Sequence, residues 1–194
     1  RNTISPYGGI GRYQNLLLRS EEFENASWVR TNVSAPTANT IAAPDGTTSA
    51  EALAPATNAA SNVRQTSSTA PTSGTAHACS VWGKVPSGTL NIVLTIGDDG
   101  ATPQSATATV TFTIDWQRFS VTYTPTNADG FVYCQIGDST WNLTTQTIHV
   151  WGTQLEQANP AGIYVKTSAT AVATTSRGLV GNTSVCLGSD CRTA

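Results

Sequence analysis

The stretch Thr147-Ile-His-Val-Trp-Gly-Thr-Gln-Leu-Glu156 decides the fold, because it has the pattern of a long β-strand with two unlike faces. Neighbouring side chains of a strand point to opposite faces, so Ile148 and Val150 share one face while His149 and Trp151 share the other. We expect the first pair to face a hydrophobic core. A histidine and a tryptophan on the outer face of a sheet indicate a surface that contacts a partner.

Other segments repeat this period of two, and their inward sets are apolar. We assign Leu90, Ile92, Leu94 and Ile96 to one inward face, Ala108, Val110, Phe112 and Ile114 to the next, and Phe119, Val121 and Tyr123 to a third. No segment has a convincing helical period over ten or more residues. Many short strands separated by turns predict an all-β sandwich or barrel.

The composition excludes several classes of partner. Only 11% of the 194 residues are charged, and the formal net charge is −2. The few Lys and Arg residues are scattered, so no basic stripe is available for phosphates and we expect no nucleic acid partner. No apolar run approaches the roughly 18 residues of a membrane-spanning helix, so we expect no membrane insertion.

The chain divides into one folded unit and two flanking segments. Residues 1–14 are polar and glycine-containing and predict an N-terminal arm or linker, residues 15–168 the β-sandwich, and residues 169–194 a C-terminal extension. Cys186 and Cys191 flank a short polar loop that a disulfide can close. Cys79 and Cys134 occupy inward strand positions, either as reduced core thiols or as a cross-strand bridge. We expect the chain to be part of a larger protein.

Catalytic machinery is not evident in the sequence. The acids Asp45, Asp98, Asp99, Asp129 and Asp138 fall in predicted turns, where solvated or capping carboxylates are usual. No nucleophile motif accompanies either histidine. We therefore predict no catalytic residues and a protein that is not an enzyme.

Three strands present aromatic or polar side chains on their outer faces, which is typical of a sugar-binding surface. The predicted carbohydrate-binding residues are Trp82, Lys84, Tyr133, Gln135, His149 and Trp151, together with Trp141 from a loop near Tyr133. Sugar C–H groups pack on the electron-rich faces of aromatic rings, while amide, imidazole and ammonium groups bond to hydroxyls. The alternative for Trp82 and Trp151 is structural packing beneath a loop. For Trp28 and Trp116, which lie beside turn residues, we favour structural packing.

Oxygen-rich turns near the start of the folded unit suggest a metal site. Glu22, Asp45 and Glu51 are the predicted ligands of a structural Ca²⁺, an ion that takes about six to eight oxygen ligands. The alternative is that they are ordinary turn acids. No other cofactor is expected.

Five sequence blocks together resemble a carbohydrate-binding-module-like jelly roll, a domain that recurs in tail and structural proteins of tailed bacteriophages and in phage-derived environmental sequences. The blocks are Asn15-Leu-Leu-Leu-Arg-Ser-Glu-Glu-Phe-Glu-Asn-Ala-Ser-Trp28, Ala43-Pro-Asp-Gly-Thr47, Ser80-Val-Trp-Gly-Lys84, Trp116-Gln-Arg118 and Val150-Trp-Gly-Thr-Gln-Leu-Glu156. The resemblance implies a two-sheet antiparallel jelly roll, a groove on one sheet, non-catalytic glycan binding and often a calcium near the N-terminal turn. Cys79 and Gly83 depart from the pattern, and Gly83 implies a space in the core or a bend in the strand.

Two functions follow as hypotheses. The first is a carbohydrate-binding module that recognises a polysaccharide, located extracellularly or on a virion as part of a phage structural protein. The alternative is a spacer domain of a phage tail or fibre protein, without a glycan ligand, whose outer aromatics pack against a neighbouring copy in a homo-oligomer.

Overall fold

Ten β-strands form the part of the chain that the structure describes. The structure is a computed structural model that describes residues 14–142 and 144–172. The strands are β1 (Val29–Thr31), β2 (Thr37–Ile41), β3 (Ala50–Leu53), β4 (Asn62–Thr66), β5 (His77–Lys84), β6 (Leu90–Asp98), β7 (Ser105–Phe112), β8 (Gln117–Tyr123), β9 (Val132–Ile136) and β10 (Ile148–Glu156). Within this part of the chain, no helix is long and apolar enough to cross a membrane.

The strands form two antiparallel sheets of five strands each. Sheet 1 has the order β1-β4-β9-β6-β7, and sheet 2 has the order β2-β3-β10-β5-β8. The chain crosses from one sheet to the other several times, so that β10 lies at the centre of sheet 2 between β3 and β5. This arrangement confirms the predicted all-β, two-sheet antiparallel β-sandwich.

The core lies between the two sheets and consists of the inward halves of the alternating strands. Ile148 and Val150 of β10 are fully buried, as their parity predicts. They pack in one cluster with inward residues of the other strands, including Leu53, Val63, Cys79, Val81, Ile92, Leu94, Ile96, Phe112, Val121, Val132, Cys134, Ile136 and Leu155.

One prediction about the strands is wrong, and one strand is missing from the predictions. Ile114 does not belong to the inward set of β7, because the strand ends at Phe112 and the side chain of Ile114 is 54% exposed. The alternation stops where the chain turns towards β8. Strand β2 was not predicted at all, since its sequence Thr-Ala-Asn-Thr-Ile has one large apolar residue and Asn39 has a positive φ of 54°.

A segment before β1 covers one margin of the sandwich. Phe23 and Trp28 are buried with their ring centroids 4.7 Å apart, and Trp28 Nε1 donates a hydrogen bond to the Arg19 carbonyl at 3.0 Å. Trp28 therefore has the structural role that the sequence indicates. Asn15 pairs with Val172 in an isolated bridge, which brings the two ends of the described chain together.

Gly83 leaves a space that an aromatic ring fills. A Cβ at this position would overlap the Phe112 ring, which occupies the volume on the core side of β5. Phe112 in turn stacks on Phe119, with ring centroids 5.2 Å apart. Of the two sequence interpretations of Gly83, the structure supports the space in the core.

A disulfide between Cys79 and Cys134 joins the two sheets through the core. Cys79 belongs to β5 of sheet 2 and Cys134 to β9 of sheet 1, and both are fully buried. The bridge resolves the alternative that the sequence left open for these two residues. The pairing of Cys186 with Cys191 lies outside the described residues, as does nearly all of the predicted 1–14 arm.

We predict that losing this bridge destabilises the domain strongly. The cysteines are separated by 55 positions. Closing a loop of that size lowers the entropy of the unfolded chain and raises its free energy by about 4 kcal/mol. The Cys79→Ala/Cys134→Ala variant should lose about this free energy of unfolding in urea titrations, and reduced wild-type protein should resemble it. The matched control is Cys186→Ser/Cys191→Ser, which should retain most of the stability; equal stability of the Cys79→Ala/Cys134→Ala variant and wild type would contradict the prediction.

Candidate functional site

The outer face of sheet 2 brings together four of the predicted site residues. Trp151 of β10 is directly opposite Trp82 of β5, and His149 is directly opposite Lys84. The register shifts after Trp151, where Gly152 has a positive φ of 63°. Because this bulge follows Trp151, it leaves His149 and Trp151 on the outer face and turns only the later part of the strand.

Trp151 forms the base of an aromatic cluster. It is only 5% exposed, its ring lies 4.7 Å from that of Tyr164, and its Nε1 donates a hydrogen bond to Ser49 Oγ at 2.9 Å. Ala43 and Ala50 complete the buried part of the cluster. Trp151 is thus on the predicted face, but Tyr164 and the β2–β3 turn cover much of its surface.

Trp82 and Trp116 are the partly exposed tryptophans of this cluster. Trp116 precedes β8 at one edge of sheet 2, yet its Nε1 donates a hydrogen bond at 2.9 Å to the carbonyl of Ala42, which follows β2 at the other edge. A flat sheet of five strands is about 19 Å wide, so the two edges must approach each other over the face. Trp116, for which the sequence favours structural packing, therefore lies on the outer face, in the same aromatic cluster as Trp82.

Two basic side chains, Lys84 and His149, lie on the outer face near Trp116. The Lys84 ammonium is 5.8 Å from the centre of the Trp116 ring. His149 lies beside Lys84 in the sheet, and burial, helped by the Lys84 charge, lowers the pKa of His149 below its usual value. His149 is therefore neutral at pH 7, and Lys84 supplies the positive charge of this part of the face.

The other end of the same face is closed by the segment after β10. Gln154 binds this segment twice, through Nε2 to the Ile163 carbonyl at 3.1 Å and through Oε1 from the Val165 amide at 2.6 Å. Arg118 donates to the Gly162 carbonyl at 2.5 Å, and Gly162 donates its amide to Glu156 at 2.7 Å. These contacts hold the segment over the polar end and leave the aromatic end partly open.

Several polar nitrogens on the face are buried without a hydrogen-bond partner. Among the described residues these are Trp82 Nε1, Arg118 Nε and His149 Nδ1. Buried polar atoms are nearly always paired in proteins. Of the three atoms, Trp82 Nε1 and Arg118 Nε can only donate hydrogen bonds, whereas the role of His149 Nδ1 depends on its tautomer.

Three of the predicted carbohydrate-binding residues do not share this face, and the prediction of one groove with all seven is wrong. Tyr133 and Gln135 belong to β9 in sheet 1, on the opposite side of the sandwich. There Arg64 lies 3.7 Å from the centre of the Tyr133 ring, and Gln135 Nε2 donates to the Gly137 carbonyl at 3.2 Å. Trp141 is fully buried in the core and cannot lean over a cleft.

Sheet 1 has its own shallow depression near the β6–β7 pair. Its volume is about 480 Å³, and its lining residues are Thr89, Leu90, Asn91, Val93, Thr109 and Thr140. No aromatic ring lines it, so it lacks the stacking surface that sheet 2 offers.

The three predicted calcium ligands have separate environments. Glu22 pairs with Arg19 at 2.9 Å, and Asp45 accepts a hydrogen bond from Thr47 Oγ1 at 2.7 Å. Among the described residues, no group of three or more His, Cys, Asp and Glu side chains is placed to hold a metal. These three carboxylates therefore do not fit one site, and calcium binding stays a prediction.

Glu51 differs from the other two acids because it is buried. It is 1% exposed and accepts a hydrogen bond from the Phe23 amide at 3.0 Å. Burial, reinforced by the hydrogen bond and charge of Glu24, raises the pKa of Glu51 to about 9. The folded protein therefore keeps this carboxyl protonated at neutral pH.

We predict that Glu51 makes the protein less stable as pH rises. Its pKa is about 9 in the folded protein against an ordinary value of 4.5. Its favourable contribution is thus complete below about pH 4.5 and is lost progressively as pH rises through about 9. Glu51→Gln should flatten this fall and be more stable than wild type at pH 8 in urea titrations.

The matched control is Glu22→Gln, which removes an acid at the surface and should leave the slope unchanged. A wild-type stability that is flat between pH 5 and pH 9 would contradict the prediction. A calcium ion bound at Glu51 would favour its ionised form, so the titration should be repeated with calcium and with EDTA.

The chain resembles solved structures in fold, although its sequence matches no protein family and no curated protein. The xylan-binding CBM22-1 domain of Paenibacillus barcinonensis Xyn10C superposes with a TM-score of 0.56 at 13% identity, over 79% of this chain and 100% of that one. A family 11 carbohydrate-binding module from Clostridium thermocellum, in complex with a mixed-linked β-1,3-1,4 tetrasaccharide, gives 0.53 at 12% identity, over 78% and 98%.

A viral protein has a similar domain. The enzymatically active domain of tailspike protein 4 from bacteriophage CBA120 gives a TM-score of 0.58 at 15% identity, over 74% of this chain. The match spans only 21% of the tailspike chain. At these identities the likeness establishes the fold, which is the jelly-roll sandwich of carbohydrate-binding modules.

Proposed function

We propose that this protein is a non-catalytic carbohydrate-binding module whose polysaccharide ligand lies on the outer face of sheet 2. The observation that carries the proposal is the aromatic cluster on that face, where Trp82 and Trp116 remain partly exposed beside Lys84 and His149. The fold shared with carbohydrate-binding modules supports it.

The four side chains have distinct roles in this proposal. Trp82 and Trp116 supply apolar faces on which sugar rings pack. Lys84 Nζ donates hydrogen bonds at the edge of the sugar ring, and the His149 imidazole donates or accepts them according to its tautomer. Trp151 supports Trp82 from the neighbouring strand, and its own burial makes it a structural rather than a ligand-contacting residue.

The biological setting is also a proposal. The likeness to a phage tailspike domain supports a place in a virion protein. The Cys79–Cys134 disulfide supports an oxidising, extracellular environment. Because a shallow wet groove gives an affinity of about micromolar to millimolar, attachment of many copies to one particle would strengthen binding through multivalency.

We predict that Trp82→Ala and Trp116→Ala each weaken polysaccharide binding about five- to thirtyfold, since removing a stacking ring costs about 1 to 2 kcal/mol. The measurement is affinity electrophoresis through gels that contain soluble polysaccharides, with melting temperatures to verify folding. Tyr133→Ala is the matched control, because it removes an aromatic ring from sheet 1. Loss of binding in the control alone would place the ligand on the other sheet and contradict the proposal.

The spacer hypothesis is tested with the same samples. Val29 and Ile163 are 63% and 68% exposed, and exposed apolar side chains also occur at protein interfaces. If the protein is a monomer in light scattering and binds a polysaccharide, the hypothesis of a spacer domain without a glycan ligand is excluded. A stable oligomer that binds no glycan would favour it, and release of reducing ends would contradict a non-catalytic module.

A further inference from the structure

The aromatic end of the outer face of sheet 2 has more hydrogen-bond donors than acceptors. Two rows of outward residues cross this end, one with Thr37, Ala52, His149 and Lys84, the other with Ile41, Ala50, Trp151, Trp82 and Arg118. Neither row contains an aspartate or a glutamate. Lys84 Nζ, Trp82 Nε1 and Arg118 Nε can only donate hydrogen bonds.

This excess of hydrogen-bond donors over acceptors does not suit a neutral sugar. Each sugar hydroxyl both donates and accepts, so a site for neutral sugars needs side-chain acceptors as well as donors. In the two rows the side-chain acceptors are the hydroxyl of Thr37 and the neutral imidazole of His149, and the carboxylate of the same face, Glu156, lies beyond the second row and is engaged. Glu156 Oε1 accepts from Gln154 Nε2 at 2.6 Å and from the Gly162 amide at 2.7 Å.

The charge of Lys84 is not neutralised by a neighbouring acid. The ion pairs among the described residues are Arg19–Glu22, Arg64–Asp99 and Lys166–Glu21, and none includes Lys84. The nearest acids of adjoining segments are occupied or exposed: Asp45 caps its own turn through Thr47, and Asp115 is exposed in the β7–β8 turn. An ammonium group whose own row and the adjacent row hold no carboxylate is complementary to an anionic ligand.

We propose that this face takes an acidic polysaccharide and that Lys84 binds the carboxylate of a uronic acid residue. The inference rests on the proposed function and names its ligand class. Lys84 Nζ is 5.8 Å from the centre of the Trp116 ring. A carboxylate attached directly to a sugar ring carbon keeps its charge close to the ring, so a uronic acid can pack against Trp116 and reach the ammonium together. The carboxylate accepts hydrogen bonds only, which matches the Lys84 ammonium, a group that only donates them.

The test compares charged ligands with their neutral counterparts. Binding of polygalacturonate and alginate is measured by titration calorimetry and affinity electrophoresis, next to carboxyl-reduced polygalacturonate, xylan and mixed-linkage β-glucan. Wild type should bind the uronate polymers at least about tenfold more tightly than the carboxyl-reduced polymer, as for a charge-assisted hydrogen bond. Raising the salt concentration from 50 to 500 mM should weaken this binding.

The variants assign the effect to one residue. Lys84→Gln should remove the preference for uronate and its salt dependence, and Lys84→Arg should restore most of both. Arg64→Gln on sheet 1 makes the same change in net charge and should bind like wild type. Unchanged uronate binding by Lys84→Gln would overturn the inference.

Two further outcomes separate this inference from the proposed function. Equal binding of the carboxyl-reduced or neutral polymers, still lost in Trp82→Ala, would keep the binding module and reject the acidic ligand. Dextran sulfate binding as tight as uronate binding would indicate a general anionic surface and also reject the carboxylate site. No binding to any polymer would reject both proposals.

Discussion

The position of β10 at the centre of sheet 2 is the constraint on which the rest of the structure depends. It is hydrogen-bonded on both sides, to β3 and β5, so its register fixes which residues of three strands share a face. Before Gly152 its outward residues are His149 and Trp151. After the bulge, the polar residues Gln154 and Glu156 point outward and Leu155 enters the core. One glycine therefore separates an aromatic end of the face from a polar end that holds the following segment.

The sequence predicted which side chains of a strand share a face much better than it predicted which strands pair with each other. Alternation alone assigned Trp82, Lys84, His149 and Trp151 to outer positions, because a period of two depends only on the local backbone. It could not assign Tyr133 and Gln135 to the right sheet, since both sheets of a sandwich have outer faces with the same pattern. Which sheet a strand joins is decided by long-range pairing, and for β9 that pairing is with β4 and β6.

Residues in turns were the least predictable. Trp141 and Trp116 both lie outside regular strands, where no periodicity indicates a direction. Trp141 enters the core. Trp116 instead lies against the outer face, where its indole N–H donates a hydrogen bond to the carbonyl of Ala42. Strand β2 was missed for a related reason: an edge strand in contact with solvent needs few apolar residues, so its sequence carries little signal.

The two outer faces of the sandwich differ in chemistry, and this difference bears on selectivity. The β6–β7 face of sheet 1 carries Asn91, Thr107, Thr109 and Thr111, whose amide and hydroxyl groups both donate and accept hydrogen bonds. On sheet 2 the nitrogens of Trp82, Arg118 and His149 lack partners in the described protein. Trp82 Nε1 and Arg118 Nε can only donate hydrogen bonds, and a buried donor without an acceptor costs on the order of 1 kcal/mol or more. Hydrogen bonds within the fold already fix the side chains of Trp116 and Trp151, so a ligand on this face would cost little side-chain entropy there. The two outer faces therefore differ in kind: sheet 1 presents groups that both donate and accept hydrogen bonds, whereas sheet 2 presents ordered aromatic rings and donors.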